Sequence, residues 1–278
     1  MILITGSNGQ LGQVFRSIIS PQEAIFKDRE LDITNFELVE DFISKHSVTA
    51  IINTAAYTAV DLAETESALA FHINSFGARN LALISQKFEI PLIHISTDYV
   101  FDGTNYKPYT EQDIPNPISV YGKSKLEGEK SILELAYSAY IIRTSWLYSG
   151  FSKNFLTNIT RLAQERESLS IVADQIGTPT YAPDLARAIL ELIPTLHPQT
   201  KQILHYSNQG VSSWYDFAYE IINLQSIDCK LTPIPTIAYP TPATRPYYSV
   251  LDKTIISNLL QSPIPHWKTS LIKHLLNQ

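Results

Sequence analysis

Ile2-Leu3-Ile4-Thr5-Gly6-Ser7-Asn8-Gly9-Gln10-Leu11-Gly12 decides how the rest of the chain is read. Its first four residues suit one buried strand, and Leu11, Val14, Phe15 and Ile18 then recur at helical spacing. Strand, glycine turn and helix in direct succession is the setting in which a glycine fingerprint binds a dinucleotide. Glycine lets backbone approach a pyrophosphate, and the first helical turn offers free N–H groups and partial positive charge. The spacing is Gly-x-x-Gly-x-x-Gly, not the commoner Gly-x-Gly-x-x-Gly, so the turn alone fits an ordinary βα connection equally well. Its flanks favour a cofactor.

The same rhythm repeats outward from this stretch. Ala24 to Lys27 reads as a second strand ending in Asp28-Arg29, and Leu31-Asp32-Ile33-Thr34 follows, with Asp32 or Thr34 opening a helix through Phe36, Val39 and Ile43. At such a strand end an acidic residue can bond ribose hydroxyls and an arginine can hold a 2′-phosphate. Both are present, so NAD and NADP stay open. Ala50 to Thr54 is another buried strand, and the small residues Ala55 and Ala56 before Tyr57 would let a cofactor come close. A helical stretch is expected from Asp61 to about Phe88; Asn74 inside it costs helix propensity and reads either as a plain surface asparagine, the default, or as one held by a useful hydrogen bond. Pro91 to Ser96 is a central strand ending in Thr97-Asp98-Tyr99, residues 104–117 are loop, and Ala139 to Thr144 is a further strand.

This order predicts an α/β fold, a doubly wound parallel sheet, over residues 1–149. Past Ser149 the rhythm loosens. Helices are expected over Asn154–Glu167, Asp184–Ile193 and Trp214–Leu224, with strands at Leu169–Val172 and Ile203–Tyr206. Thr232 to Ser249 holds five of the 16 prolines and reads as irregular. Residues 150–278 are therefore expected to form a small C-terminal lobe, with some elements returning to the sheet.

Composition narrows the partners. The chain has 278 residues, 44% of them hydrophobic and 17% charged, which suits one large globular domain with a smaller lobe. A net charge of −6 without a basic run argues against nucleic acid. The single cysteine, Cys229, rules out an intrachain disulfide and suits a reducing cytoplasm. Seven scattered histidines and no thiolate cluster give no expectation of a metal site. No apolar run reaches membrane length and no leader is evident, so a cytoplasmic monomer or homodimer is expected.

The chemistry points to Tyr121-Gly122-Lys123-Ser124-Lys125. Positions i and i+4 share a helix face, which would set the Tyr121 phenol beside the Lys125 ammonium. A neighbouring cation lowers a tyrosine's pKa from about 10 toward working pH and fits it for proton transfer. Among 15 tyrosines such a pair is unremarkable alone. It gains weight from the glycine turn and from Thr97, a third polar group at a strand end.

Thr97, Tyr121 and Lys125, taken with Gly6, Gly9 and Gly12, resemble the short-chain dehydrogenase/reductase superfamily, in its extended branch acting on nucleotide sugars. Ala55–Asp61, Ser96–Gly103, Arg143–Tyr148, Asp174–Thr180 and Arg245-Pro246 are similar to the dTDP-4-dehydrorhamnose reductases. The resemblance implies a Rossmann fold with a substrate-binding C-terminal lobe. It also implies NADPH- or NADH-dependent reduction of the C4 ketone of dTDP-4-dehydro-6-deoxy-L-mannose to dTDP-L-rhamnose. Tyr121 would protonate the developing alkoxide, Thr97 would donate to the same oxygen, and Lys125 would hold the nicotinamide ribose. Cofactor contacts would come from Gly6, Gly9, Gln10, Leu11, Gly12, Asp28, Arg29, Asp32, Ile33, Ala55, Ala56, Tyr57 and Lys125. Thr97, Asp98, Tyr99 and Trp146 would meet the dTDP-sugar, with Asn154 and Arg245 on its diphosphate.

His94 and His205 read as structural. Mg2+ stays open, because no motif decides it. Dehydratases carry a second acid directly after the threonine–acid pair and epimerases a serine-rich turn; Thr97-Asp98-Tyr99 has neither. The alternatives are a reductase of another 4-keto-deoxy nucleotide sugar, or a cofactor-binding regulatory subunit like that of methionine adenosyltransferase.

Overall fold

The computed structural model describes residues 1–276. The strands run in chain order β1 (Ile2–Thr5), β2 (Ala24–Phe26), β3 (Ala50–Asn53), β4 (Leu92–Thr97) and β5 (Ala139–Thr144). Then come β6 (Leu147–Tyr148), β7 (Ser168–Val172), β8 (Ile176–Gly177), β9 (Thr180–Tyr181), β10 (Lys201–Tyr206), β11 (Ser212–Ser213) and β12 (Lys230–Ile234). Six of them form one parallel sheet in the order β10-β5-β4-β3-β1-β2. The chain leaves β1 for β2 on one side and returns to β3 on the other. Strand order therefore reverses between β1 and β3, and a crevice opens beyond their carboxyl ends, where sheets of this kind bind ligands.

The strands alternate between two buried faces. Leu3, Ile51, Leu92 and Ile141 pack against α2 (Phe36–Lys45), α5 (Ala78–Phe88) and α6 (Val120–Leu135). Ile4, Ile52, Ile93 and Ile142 pack against α1 (Gln10–Ile18) and α8 (Ala182–Leu192). Burial on both faces is why these strands read as largely apolar runs. A separate core joins α7 (Phe155–Glu165), α9 (Trp214–Leu224) and α11 (Trp267–Leu276) through Leu156, Ile159, Phe217, Ile221, Trp267 and Leu271.

Three local expectations need correction. Neither Asp32 nor Thr34 opens α2: Asp32 Oδ1 accepts from the N–H and hydroxyl of Thr34, and Asn35 caps the helix by accepting from Leu38 N at 3.0 Å. The stretch from Asp61 to Phe88 is not one helix. It divides into α3 (Val60–Ala63), α4 (Ser67–Phe71), a π-helical turn (His72–Gly77) and α5. The π turn carries Asn74 inward, 1% exposed, where it bonds both main-chain groups of Tyr57 and the Ser124 hydroxyl. Asn74 is thus a buried brace and not a surface residue. Lastly, Thr232–Ser249 begins inside a strand, since β12 pairs in parallel with β7 and carries Pro233 in a two-stranded ribbon, where a missing N–H is tolerated.

Candidate active site

The glycine turn is shaped first by its own packing. Gly6 has φ +66°, and a Cβ there would lie 2.5 Å from the Ala55 backbone; one on Gly12 would lie 2.4 Å from Ser7 Cα. Gly9 is different. A Cβ there would meet only Gly6 O, at 3.1 Å, and Gly9 is the N-cap of α1 with no side-chain cap bond. The first N–H groups of α1 thus keep the anion-binding character expected of a dinucleotide turn.

Asp28, at the end of β2, accepts from Asn8 Nδ2 at 3.1 Å, while Arg29 opens a short 3-10 turn. Arg16, which the sequence reading passed over, donates to Ser7 Oγ at 2.7 Å and lies over the Phe26 ring. Asp32 stays exposed and Ile33 is buried, with Ile33 O accepting from Asn80. Gln10 points to the second half of the chain: it donates to Leu147 O at 3.0 Å and accepts from Asn154 Nδ2 at 2.8 Å.

Ser119 caps α6 by accepting from Gly122 N at 3.1 Å. Gly122 lies so close to the Tyr99 carbonyl that a Cβ would come within 2.2 Å of it. This contact sets Tyr121 against the end of β4, with its ring edge-on to Tyr99 at 5.7 Å and its phenol beside the Thr97 hydroxyl. Thr97 Oγ1 also donates to Asp98 Oδ1 at 3.1 Å. Thr97, Asp98, Tyr99 and Tyr121 therefore converge.

The expected electrostatics are reversed at the phenol. Burial pushes Tyr121 up to about 12, the Thr97 hydroxyl opposes it, and the charge of Asp98 raises it further. Lys125 does not touch the phenol. Its ammonium end, 1% exposed, lies 2.6 Å from Ile95 O and 3.1 Å from His94 Nε2, and burial lowers it to about 8. Desolvation outweighs the cation that the i, i+4 spacing promised. Asp98, 2% exposed, is raised by burial to about 6 despite the hydrogen bond from Thr97, and its buried Oδ2 has no hydrogen-bond partner among the described residues.

Two buried polar chains support this cluster, and the sequence reading missed both. One runs Thr5–Asn53–His94–Lys125 across β1, β3, β4 and α6. So His94 is more than a filler of an apolar strand. The other joins Ser96 to Glu129 and Glu129 to Arg143, which sits beside His205. The available signal was polarity out of place: Asn53, His94, Ser96 and Arg143 interrupt strands otherwise made of apolar residues.

Trp146 follows β5 with φ +47°, a conformation that costs a bulky residue energy and persists only where surroundings enforce it. Here Trp214 stacks on its indole at 3.6 Å and Gly177 leaves room on the ring's edge. Asn154 does not join the cluster around Tyr121, whereas Arg245 lies near enough to Tyr99 for their charges to interact. Asn154 caps α7 and bonds Gln10, and Arg245 pairs with Asp61 at 2.8 Å. Among the described residues there is no group of three or more His, Cys, Asp or Glu that could hold a metal ion. No helix among them is long and apolar enough to cross a membrane.

A dTDP-4-dehydrorhamnose reductase of Aggregatibacter actinomycetemcomitans is 38% identical over 97% of this chain and 96% of its own length. A dTDP-4-keto-6-deoxy-D-glucose reductase of Streptomyces niveus is 36% identical over 97% of this chain and 94% of its own. The crystal structure of a dTDP-4-dehydrorhamnose reductase from Bacillus anthracis in complex with NADP superposes with a TM-score of 0.95 at 39% identity, covering 100% of this chain and 99% of that one. With the model of the RmlD substrate binding domain matching residues 1–278, the chain belongs to that family.

Proposed function

We propose that the protein is an NADPH-dependent reductase of the C4 ketone of dTDP-4-dehydro-6-deoxy-L-mannose, giving dTDP-L-rhamnose for cell-surface polysaccharide. The observation that carries this reading is the convergence of Tyr121 with Thr97, Asp98 and Tyr99 at the carboxyl end of β4, the strand beside the glycine-turn half of the sheet. The bare first turn of α1 at Gly9 suits the pyrophosphate, and Gly6, Gly9, Gln10, Leu11 and Gly12 would hold it. Asp28, Arg29, Asp32, Ile33 and the Ala55–Tyr57 segment would flank the adenosine half, with Lys125 toward the nicotinamide ribose. A bound nicotinamide supplies the hydride.

The chain's own residues do the rest. Tyr121 keeps its proton at neutral pH, as a donor to a developing alkoxide must, and such general acid catalysis contributes about 10²–10⁴-fold. Thr97 orients the phenol and offers a second hydroxyl to the same oxygen. Asp98, Tyr99 and Trp146 line the substrate side, with residues 150–278 forming most of the substrate lobe. Asn154 and Arg245 would reach the diphosphate, Arg245 by releasing part of its pairing with Asp61. The setting is cytoplasmic, as monomer or homodimer.

The test is loss of NADPH absorbance on adding 4-keto-6-deoxy dTDP-sugar made in situ by upstream enzymes. Oxidation of NADPH that needs the sugar is the expected result. Cofactor binding without oxidation, together with a tight protein partner in a pull-down, would instead identify a regulatory subunit. A second reading, reduction of a different 4-keto-deoxy sugar, draws on the Streptomyces niveus relative; NMR of the product's C4 stereochemistry separates the two.

A further inference from the structure

The lysine beneath the crevice is held by a chain of donors whose directions can be worked out. Thr5 Oγ1 donates to Asn53 Oδ1 at 2.7 Å, and the Ala55 backbone N–H donates to the same oxygen at 3.1 Å. A backbone N–H can only donate, so the Asn53 oxygen faces Ala55 and the amide nitrogen faces His94 Nδ1, 2.8 Å away. His94 Nδ1 must therefore accept. Burial keeps this imidazole neutral, and a neutral imidazole with an accepting Nδ1 carries its proton on Nε2.

That Nε2–H lies 3.1 Å from Lys125 Nζ. An ammonium has three donors and no acceptor, so it would meet the N–H head-on. A neutral amine offers its lone pair and still keeps one N–H for Ile95 O, at 2.6 Å.

We propose that Asn53 and His94 are positioning residues that favour the neutral amine of Lys125 in the cofactor-free protein, and that loading the cofactor site charges the neutral fraction with a proton from solvent. The inference rests on the cofactor reading given above. Burial favours the neutral amine; Glu129, on the same helix, opposes it but is itself tied to Arg143. Tyr121, one turn back, stays protonated throughout, and Ser124 is engaged with Asn74 and Tyr121 O. Negative charge brought into the crevice favours the ammonium and tips the balance. Proton uptake and affinity are then linked, and NADPH binding weakens toward tenfold per pH unit above the free lysine's value of about 8.

Calorimetric titration of NADPH into the full chain, in two buffers of different ionisation enthalpy, counts the protons. At about pH 8.5, where the cofactor phosphates are fully ionised, uptake should be about three-quarters of a proton per site, and at about pH 6.5 it should fall toward zero. Nitrogen-15 spectra of the imidazole should show the Nε2–H tautomer of His94. Asn53→Asp keeps acceptors for Thr5 and Ala55 but demands a proton on Nδ1, which turns Nε2 into an acceptor for an ammonium. This variant should show the other tautomer and lose the uptake. NADPH binding with no proton uptake at about pH 8.5, or a wild-type Nδ1–H tautomer, overturns the proposal while leaving the reductase reading intact. Failure of NADPH to bind at all overturns the cofactor reading and this proposal with it. The wild-type proton count and tautomer decide the matter even if the variant does not fold.

Discussion

The two flanks of the crevice are held in opposite ways. Along α6 the polar groups are dry: Glu129 and Arg143 are each 1% exposed and 2.6 Å apart, and Lys125 sits at the end of a chain that begins in β1. Where the C-terminal half meets the first, the contacts are wetter. The Arg245–Asp61 side chains are 23% and 40% exposed, and Gln10 reaches Asn154 through part-buried amides. A buried charge pair is rigid because breaking it strands a charge, whereas a half-exposed pair is screened and easily exchanged. On the proposed function, the proton chemistry would be built on the side that cannot adjust, and the sugar and diphosphate would be met on the side that can.

This contrast can be broken in stages. Tyr121→Phe should remove about 10²–10⁴-fold of kcat while leaving the Kd for NADPH unchanged, as read by stopped-flow turnover and cofactor fluorescence. A near-normal kcat would show that the α6 flank does not carry the proton. Glu129→Ala leaves Arg143 buried without its partner and should cost about 3–5 kcal/mol in urea unfolding. A loss near that of a surface pair would mean that water reaches this flank.

The next stage concerns Asp98. Its folded value, about 6, lies above its ordinary 3.8, so the folded state binds the proton more tightly than the unfolded state does. Stability from this group is therefore fully present below the unfolded value and declines as pH rises to about 6, by about 2–3 kcal/mol in all. Asp98→Asn should flatten that slope in denaturation midpoints measured between those two pH values. The smallest effect belongs to the wet flank. Asp61→Ala should cost under about 1 kcal/mol of stability, because the pair is largely solvated. By freeing Arg245 it should change KM for the nucleotide sugar more than kcat.

Legibility in the sequence followed the same division. The sheet could be read because strands buried on both faces are mostly apolar and pair successive apolar residues, as Ile51-Ile52 and Ile141-Ile142 do. The π turn could not, since one extra residue per turn leaves the apolar spacing around Asn74 almost unchanged. The proline-bearing β12 was hidden for the opposite reason, a residue type that argues against strand. At the site, Tyr121 and Thr97 were visible as local motifs. Lys125 was visible too, but its true neighbour was not: His94 stands opposite Asn53 in the β3–β4 register, a contact fixed by how two strands slide past each other. The direction of the Tyr121 shift failed to follow from spacing because it depends on burial, which one helix cannot reveal.

The stack of Trp146 on Trp214 has a use beyond shape. Two indoles 3.6 Å apart and within 9° of parallel share their electronic excitation, so together they give a coupled signal in near-ultraviolet circular dichroism. One ring follows β5 of the sheet and the other opens α9 in the C-terminal half, while the third tryptophan, Trp267 of α11, meets Phe217 edge-on and stays outside the stack. The molecule thus carries its own optical gauge of whether its two halves are seated together.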